Sequence, residues 1–296
     1  MSCKHCLRAL AASVLLASLA LAQPYKALIV TGQNGHKWRE TTPVLKKLME
    51  SSGLFTVDVA TSPPHEKKQP AADMSNFKPN FAAYKVVVSN YQGDPWCEET
   101  KQALVDYVKG GGGLVIYHFA CAAFPDWKEY NEMIGLGGWF RTEKHGSYAR
   151  WRDGKVVLQN IPGKTGGHGP MQPFQIVVRN ANHPITQGLP EKFAHVPDEL
   201  YGWLRGPAKN LTVLATAFAP AAKGGSDENE PILFTVEYGK GRVFQNALGH
   251  TGKELQSVAF IVTFLRGAEW AATGKVTQKV PDDFPGPDEP RTRELK

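Results

Sequence analysis

The stretch G-G-G-L-V-I-Y-H-F-A-C-A-A-F, residues 111–124, brings together residues able to do chemistry. An apolar strand, Leu114 to Tyr117, leaves a glycine turn and ends at a corner. In several α/β enzymes such a strand-to-helix corner carries the nucleophile. Here the corner residue is His118, with Cys121 three positions on. Three readings compete: a nucleophile site with its thiol displaced, a metal site, or a core strand that ends in histidine. His36, His145 and His250 also fall in loops beyond expected strand ends. Imidazole ligates metals and moves protons near neutral pH. Each of these histidines alone has an ordinary account. His36 precedes a helix, His145 is solvated in a loop, and His250 enters a glycine-containing turn. Together they point to one shared pocket.

Asp198-Glu199 offers the carboxylate. Glu199 is preferred, because Asp198 follows Pro197 and suits a local cap; an exposed acidic turn is the ordinary alternative. Neutral imidazoles with one carboxylate make a transition-metal set, and a catalytic metal keeps a position open for water. The expected metal candidates are therefore His36, His118, His145 and His250, for a divalent ion such as zinc; no other cofactor is indicated. The catalytic candidates are His118, His250 and Glu199. Asn34, Trp38, Asn90, Trp139 and Tyr201 are the expected substrate contacts, since flat aromatic faces suit a sugar ring; packing alone would also explain the aromatics. Cys121, between Ala120 and Ala122, reads as a small packed residue rather than an activated thiol. His183 precedes Pro184 and reads as a turn residue. His65, His168 and His195 read as surface residues.

These residues need elements to hold them. Lys26 to Gly32 is a first strand, Trp38 to Ser52 a helix, and Phe55 to Thr61 a second strand. Tyr84 to Asn90 is a third strand, Glu98 to Lys109 a helix, and Leu114 to His118 a fourth strand. Alternating strands and helices predict a mostly parallel sheet covered on both faces, with sites beyond the carboxyl ends of its strands. Farther on, 127–134 is a short helix and 148–180 is irregular β structure. Strands follow over 211–217, 231–238 and 242–248, the last two joined through Gly239-Lys240-Gly241 as a hairpin. Lys253 to Trp270 is a closing helix. The tail from Lys275 to residue 296, rich in proline and charge, is expected to lie loose on the surface.

The first 22 residues read as a cleaved secretory signal: Lys4 and Arg8, an apolar run, then Ala20-Leu21-Ala22 before Gln23. This predicts an exported protein, periplasmic or extracellular, with no membrane span after cleavage. Residues 23–274 are long enough for one large α/β domain. Beyond the signal, the cysteines are Cys97 and Cys121, and their spacing does not fit a structural zinc site. The formal charge of +6 is scattered without a basic run, which argues against nucleic acid as a partner.

The ordered stretches T-G-Q-N-G-H-K-W (31–38), G-G-G-L-V-I-Y-H (111–118), G-G-W-F (137–140), N-H-P-I-T-Q-G-L-P (182–190), D-E-L-Y (198–201) and G-K-G-R-V-F-Q-N-A-L-G-H (239–250) resemble the ThuA-like, or trehalose-utilization, proteins. These form a branch of the class I glutamine amidotransferase-like superfamily. The resemblance implies a flavodoxin-like α/β sandwich and a role in carbohydrate metabolism, with (keto-)glycosides as the substrate class. Amidotransferase relatives pair an elbow Cys with a late-strand His and a nearby Glu. Here those positions fall on His118, His250 and Gly252, so amidotransferase activity is not expected. A non-catalytic carbohydrate-binding or accessory protein on the same fold is the alternative.

Overall fold

In the computed structural model, residues 23–65 and 69–294 are described. The expected signal, residues 1–22, lies outside the described residues. Strand β1 (Tyr25–Thr31) is followed by helix α1 (Trp38–Ser51) and β2 (Phe55–Thr61). Then come β3 (Val86–Ser89), α2 (Glu98–Lys109) and β4 (Gly113–Tyr117). β3 and β4 are buried at every residue, as expected of strands covered on both faces. After α3 (Lys128–Ile134) the chain forms β5 (Ser147–Arg152), β6 (Lys155–Gln159), β7 (Gln172–Val178), β8 (Lys192–Asp198) and β9 (Arg205–Gly206). It closes with β10 (Leu211–Ala219), β11 (Glu228–Tyr238), β12 (Gly241–Asn246) and α4 (Val258–Thr273).

A nine-stranded sheet runs β2-β1-β3-β4-β12-β11-β10-β7-β8, and a three-stranded sheet runs β6-β5-β9. As expected, β1, β3 and β4 are adjacent and parallel. The expectation of a mostly parallel sheet is wrong. The β1–β2, β1–β3, β3–β4 and β4–β12 pairs are parallel, whereas every pair beyond β12 and both pairs of the small sheet are antiparallel. The reason is the Gly239-Lys240 hairpin. A two-residue link can join only antiparallel neighbours, so it ends the parallel half at β12.

Adjacent residues of β12 show the layering. Gly241 lies against Val108 of α2, while Arg242 donates from Nε to the Trp270 and Ala271 carbonyls of α4, 3.1 Å away in each case. Neighbouring strand residues face opposite sides, so α2 and α4 cover opposite faces. The expected closing helix starts later, because residues 254–256 form a 3₁₀ turn and Ser257 is extended before α4 begins. The tail is not loose. Thr292 bridges to Ser257, Phe284 packs on Phe193 with ring centroids 5.0 Å apart, and Glu269 of α4 accepts from Thr277 N at 2.7 Å. Among the described residues, no helix is long and apolar enough to cross a membrane.

Candidate metal centre

Strand ends deliver the cluster. His36 follows β1, His118 follows β4 and His250 follows β12, all at the carboxyl rim of the parallel half. Glu199 follows β8, at the other edge of the pairing order. The antiparallel arm therefore bends back until the end of β8 meets the ends of β4 and β12. The ligand atoms of His36, His118, Glu199 and His250 all lie within 4.8 Å of one another. Glu199 Oε2 is 2.8 Å from His250 Nδ1, 3.4 Å from His36 Nε2 and 3.5 Å from His118 Nε2.

His118 sits at the corner with φ of +44°. This left-handed conformation is strained for a residue with a side chain, by about 1–3 kcal/mol, and such strain collects at functional sites. Trp139 and Trp203, in loops around the same pocket, also have positive φ. His118 Nδ1 is 2.8 Å from the Ala247 carbonyl, which can only accept, so Nδ1 carries the proton. Nε2 then faces the pocket, 2.7 Å from the Tyr201 hydroxyl, which donates to it when no cation is bound there. Tyr201 also stacks on His118, with centroids 4.4 Å apart. Burial holds the Tyr201 hydroxyl well above its usual pKa, so it stays a donor.

Burial, with His118 and His250 as neighbours, lowers the His36 pKa to about 3, so His36 is neutral at physiological pH. Burial alone would raise the Glu199 carboxyl, but His118 and His250 outweigh it and hold the group well below the usual range. Glu199 raises His250. The contact between Glu199 Oε2 and His250 Nδ1 is close but lacks hydrogen-bond alignment. Both atoms, and His36 Nδ1, are buried without a hydrogen-bond partner. Buried polar atoms normally have partners, and a proton or a metal cation between Glu199 Oε2 and His250 Nδ1 would satisfy both. The donor set therefore fits a divalent transition metal.

A buried strut fixes this set. Asp198 is 0% exposed. Its Oδ2 accepts from Gly249 N at 2.7 Å and meets His195 Nε2 at 2.8 Å. Its Oδ1 accepts from Glu199 N at 2.8 Å and His250 N at 3.2 Å. The Ser257 hydroxyl lies 3.0 Å from His195 Nδ1. The three side chains resemble a hydrolytic triad, but all are fully buried and no substrate reaches them. Their role is to hold the backbone on both sides of the cluster.

Several expectations change. His145 does not join the cluster. Its Nδ1 accepts from Thr142 N at 2.9 Å in the cap of a 3₁₀ turn, and its ring borders a separate cavity of about 510 Å³. Asn90 is 1% exposed and bonds Thr41, Thr42 and Asn34, so it supports the site rather than touching a substrate. Asn34 spends both ends of its amide, donating to Asn90 and accepting from His36 N at 2.9 Å. Trp139 makes edge contacts with Phe119 and Tyr201, while Trp38 is half-buried beside Arg39. His168, read as a surface residue, reaches Glu199 Oε1 at 3.2 Å while its side chain stays 34% exposed, which places it at the mouth. His195, read likewise, is in the strut. Its apolar neighbours Phe193 and Val196 were a sequence signal for burial; the glycines around His168 gave none. His65 remains at the surface, paired with Asp94. Cys97 and Cys121 are both free. Cys121 is fully buried, and burial pushes its thiol up to about 12, which removes it as a nucleophile.

The ThuA family model, described as trehalose utilisation, matches residues 26–271. A crystal structure of a ThuA-like protein from Parabacteroides merdae is similar at 45% sequence identity and a TM-score of 0.87, covering 91% of this chain and 98% of that one. A ThuA-like protein from Bacteroides uniformis shares the fold at 21% identity and a TM-score of 0.59, covering 88% of this chain and 96% of that one. No curated protein matches the chain. With a family match over most of its length and a relative at 45% identity, the chain belongs to the ThuA, or trehalose utilisation, family.

Proposed function

We propose that the chain is an exported, metal-dependent enzyme of carbohydrate metabolism that acts on glycosides or their 3-keto derivatives. The observation that carries this reading is the convergence of His36, His118, His250 and Glu199 within 4.8 Å, with buried nitrogen and oxygen atoms left unpartnered. These residues would hold a divalent transition metal such as zinc. When bound, a divalent ion supplies Lewis acidity toward a sugar carbonyl or hydroxyl oxygen.

The protein groups divide the remaining work. In this reading Glu199 is a ligand, by its position among the three imidazoles, and proton transfer falls to His168, whose partly exposed ring lies 3.2 Å from Glu199 Oε1 at the mouth of the site. A ketone at C3 acidifies the neighbouring C–H. A base removes that proton, the electron pair expels the glycosidic oxygen, and that oxygen takes up a proton. Water then adds across the double bond. With a metal on His118 Nε2, the Tyr201 hydroxyl would be released from that nitrogen and could donate to an oxygen in the pocket. Trp139 and Phe119 form an apolar wall beside it.

The test combines elemental analysis of the purified protein with turnover of glycosides and 3-keto-glycosides, with and without chelator. The expected result is one transition-metal ion per chain and chelator-sensitive turnover of a keto-glycoside. Stoichiometric metal with sugar binding but no turnover across the panel would favour the accessory-protein alternative. Absence of metal binding would overturn the reading.

A further inference from the structure

The parallel half of the sheet contains a switch in strand order. From β1 the chain passes to β2 on one side and then to β3 on the other. The loops after β1 and β3 diverge, and such switch points leave a crevice at the carboxyl rim. A cavity of about 570 Å³ occupies it, lined by Trp38 and Arg39 beyond β1, Gln92 and Asp94 beyond β3, and His65 beyond β2. That volume is within the range of small-molecule sites, roughly 300–1,000 Å³.

The walls are pinned without a ligand. Gln33 is 6% exposed and ties the loops together: Nε2 donates to the Pro63 carbonyl and Oε1 accepts from Asp94 N, each at 2.8 Å. Gly93 lies so close that a Cβ would come 2.2 Å from Gln33 Oε1. Gly32 has φ of +121°, and a Cβ there would meet Ser62 Oγ at 2.4 Å. Asp94 Oδ2 accepts from Ala72 N at 2.9 Å and meets His65 Nδ1 at 2.8 Å. A preorganised crevice loses little entropy when it binds.

Its chemistry is that of a hydroxyl-rich ring. The Arg39 guanidinium lies 4.3 Å from the Trp38 ring centroid, with no hydrogen bond or ion pair among the described residues. Gln92 Oε1 accepts from Gly35 N at 3.2 Å, leaving the amide nitrogen as a donor. Guanidinium and amide donors suit vicinal hydroxyls, the fixed Asp94 carboxylate accepts from one, and the indole edge packs against a ring's C–H face. No large aliphatic side chain lines the cavity. Asn34, Trp38 and Arg39 also border a smaller cleft, about 380 Å³, that contains His36. The crevice and the cluster are thus neighbours along one rim.

We propose that the β1/β3 crevice is a second pyranose subsite, so that one ring of a disaccharide or glycoside sits at the histidine cluster and the other sits here. This rests on the carbohydrate reading above, and its test is separable from it. Elemental analysis for zinc reports on the cluster; calorimetric titration of the full chain with trehalose and with maltose reports on the crevice. In Trp38→Ala and in Arg39→Ala, at least one disaccharide bound by the parent protein should lose about tenfold in affinity, or 1.4 kcal/mol. Zinc stoichiometry should be unchanged in both variants, and thermal melting in Arg39→Ala, since Arg39 is exposed. Equal disaccharide affinity in the parent and both variants would overturn the subsite. So would a zinc-loaded parent that binds neither disaccharide, or adenosine binding that the same variants abolish. Should zinc fail to bind while both variants still weaken disaccharide binding, the subsite stands and the metal reading falls.

Discussion

The two halves of the large sheet contribute different things to the cluster. The parallel half supplies His118, directly beyond β4, and His36 and His250, in the loops after β1 and β12. The antiparallel arm supplies Glu199, and the loops flanking it supply His168 and Tyr201. Strand ends packed between helices hold side chains rigidly, which suits ligands. The arm is held against them by Asp198, whose carboxylate bonds the backbone of Gly249 and His250 on one side and Glu199 on the other. The contrast suggests that the parallel half sets the metal geometry and the arm completes and closes it.

The sharpest way to break this division is to remove one ligand from each half. His118→Ala and Glu199→Ala should each lower zinc affinity by more than the ~10–100-fold typical of outer partners. His118→Ala keeps the left-handed φ and loses the buried hydrogen bonds to Ala247 and Tyr201, so the apo-protein should also lose about 1–3 kcal/mol of stability. Competition titration against a chromogenic chelator measures both. Retention of parent affinity in either variant would remove that residue from the metal set.

Next in size is the strut. Asp198→Asn keeps the shape but removes the charge that faces His195 and the three backbone amides of Glu199, Gly249 and His250. Zinc affinity should fall by about 10–100-fold. Weakening these buried hydrogen bonds should also cost roughly 1–3 kcal/mol of stability. His195→Gln should do less to zinc, because Asp198 keeps its bonds to Gly249, His250 and Glu199. If the two variants lost zinc equally, the strut would act through folding rather than through positioning.

How far these roles could be read from sequence follows the same division. His118 was legible because an apolar run followed at once by histidine marks a strand end, and His36 and His250 because they lie in the glycine-containing loops just past two further strands whose parallel ends share one rim. Glu199 was legible only as half of an acidic pair. The roles of its neighbour Asp198 and of His168 depend on how far the arm bends, a long-range property that no local pattern encodes. His145 failed for the converse reason. Its loop looked equivalent to the others, but a local cap with Thr142 satisfies it. The parallel count failed beyond β12, where the glycine hairpin, itself recognisable, forces the chain to reverse.

The comparison also predicts how acid acts. Metal binding needs neutral imidazoles and an ionised carboxylate. His36 is lowered to about 3 and Glu199 is depressed, so both remain competent across mildly acidic pH. His250 is raised by Glu199, so it is the first of these groups to protonate as pH falls, starting above the ordinary imidazole value of about 6.5. Zinc affinity should therefore weaken as pH drops through that region, with close to one proton taken up per ion released. His250→Ala should flatten the dependence. Uptake of two or more protons between about pH 7 and 5 would show that the parallel-half histidines titrate together.

The smallest expected effect concerns Cys121, which lies in the same turn as His118 yet belongs to the core. It is fully buried among apolar residues, and burial raises its thiol to about 12. Cys121→Ala removes one sulfur from a packed interior, so stability should fall by about 1 kcal/mol. Zinc affinity and turnover should match the parent, because no thiol function is lost and the Cys121 carbonyl still accepts from Gly138 N. Calorimetric melting and chelator competition on one preparation test both halves of the claim. A loss of turnover with metal content intact would return the thiol to the mechanism, and would make the corner a nucleophile site after all.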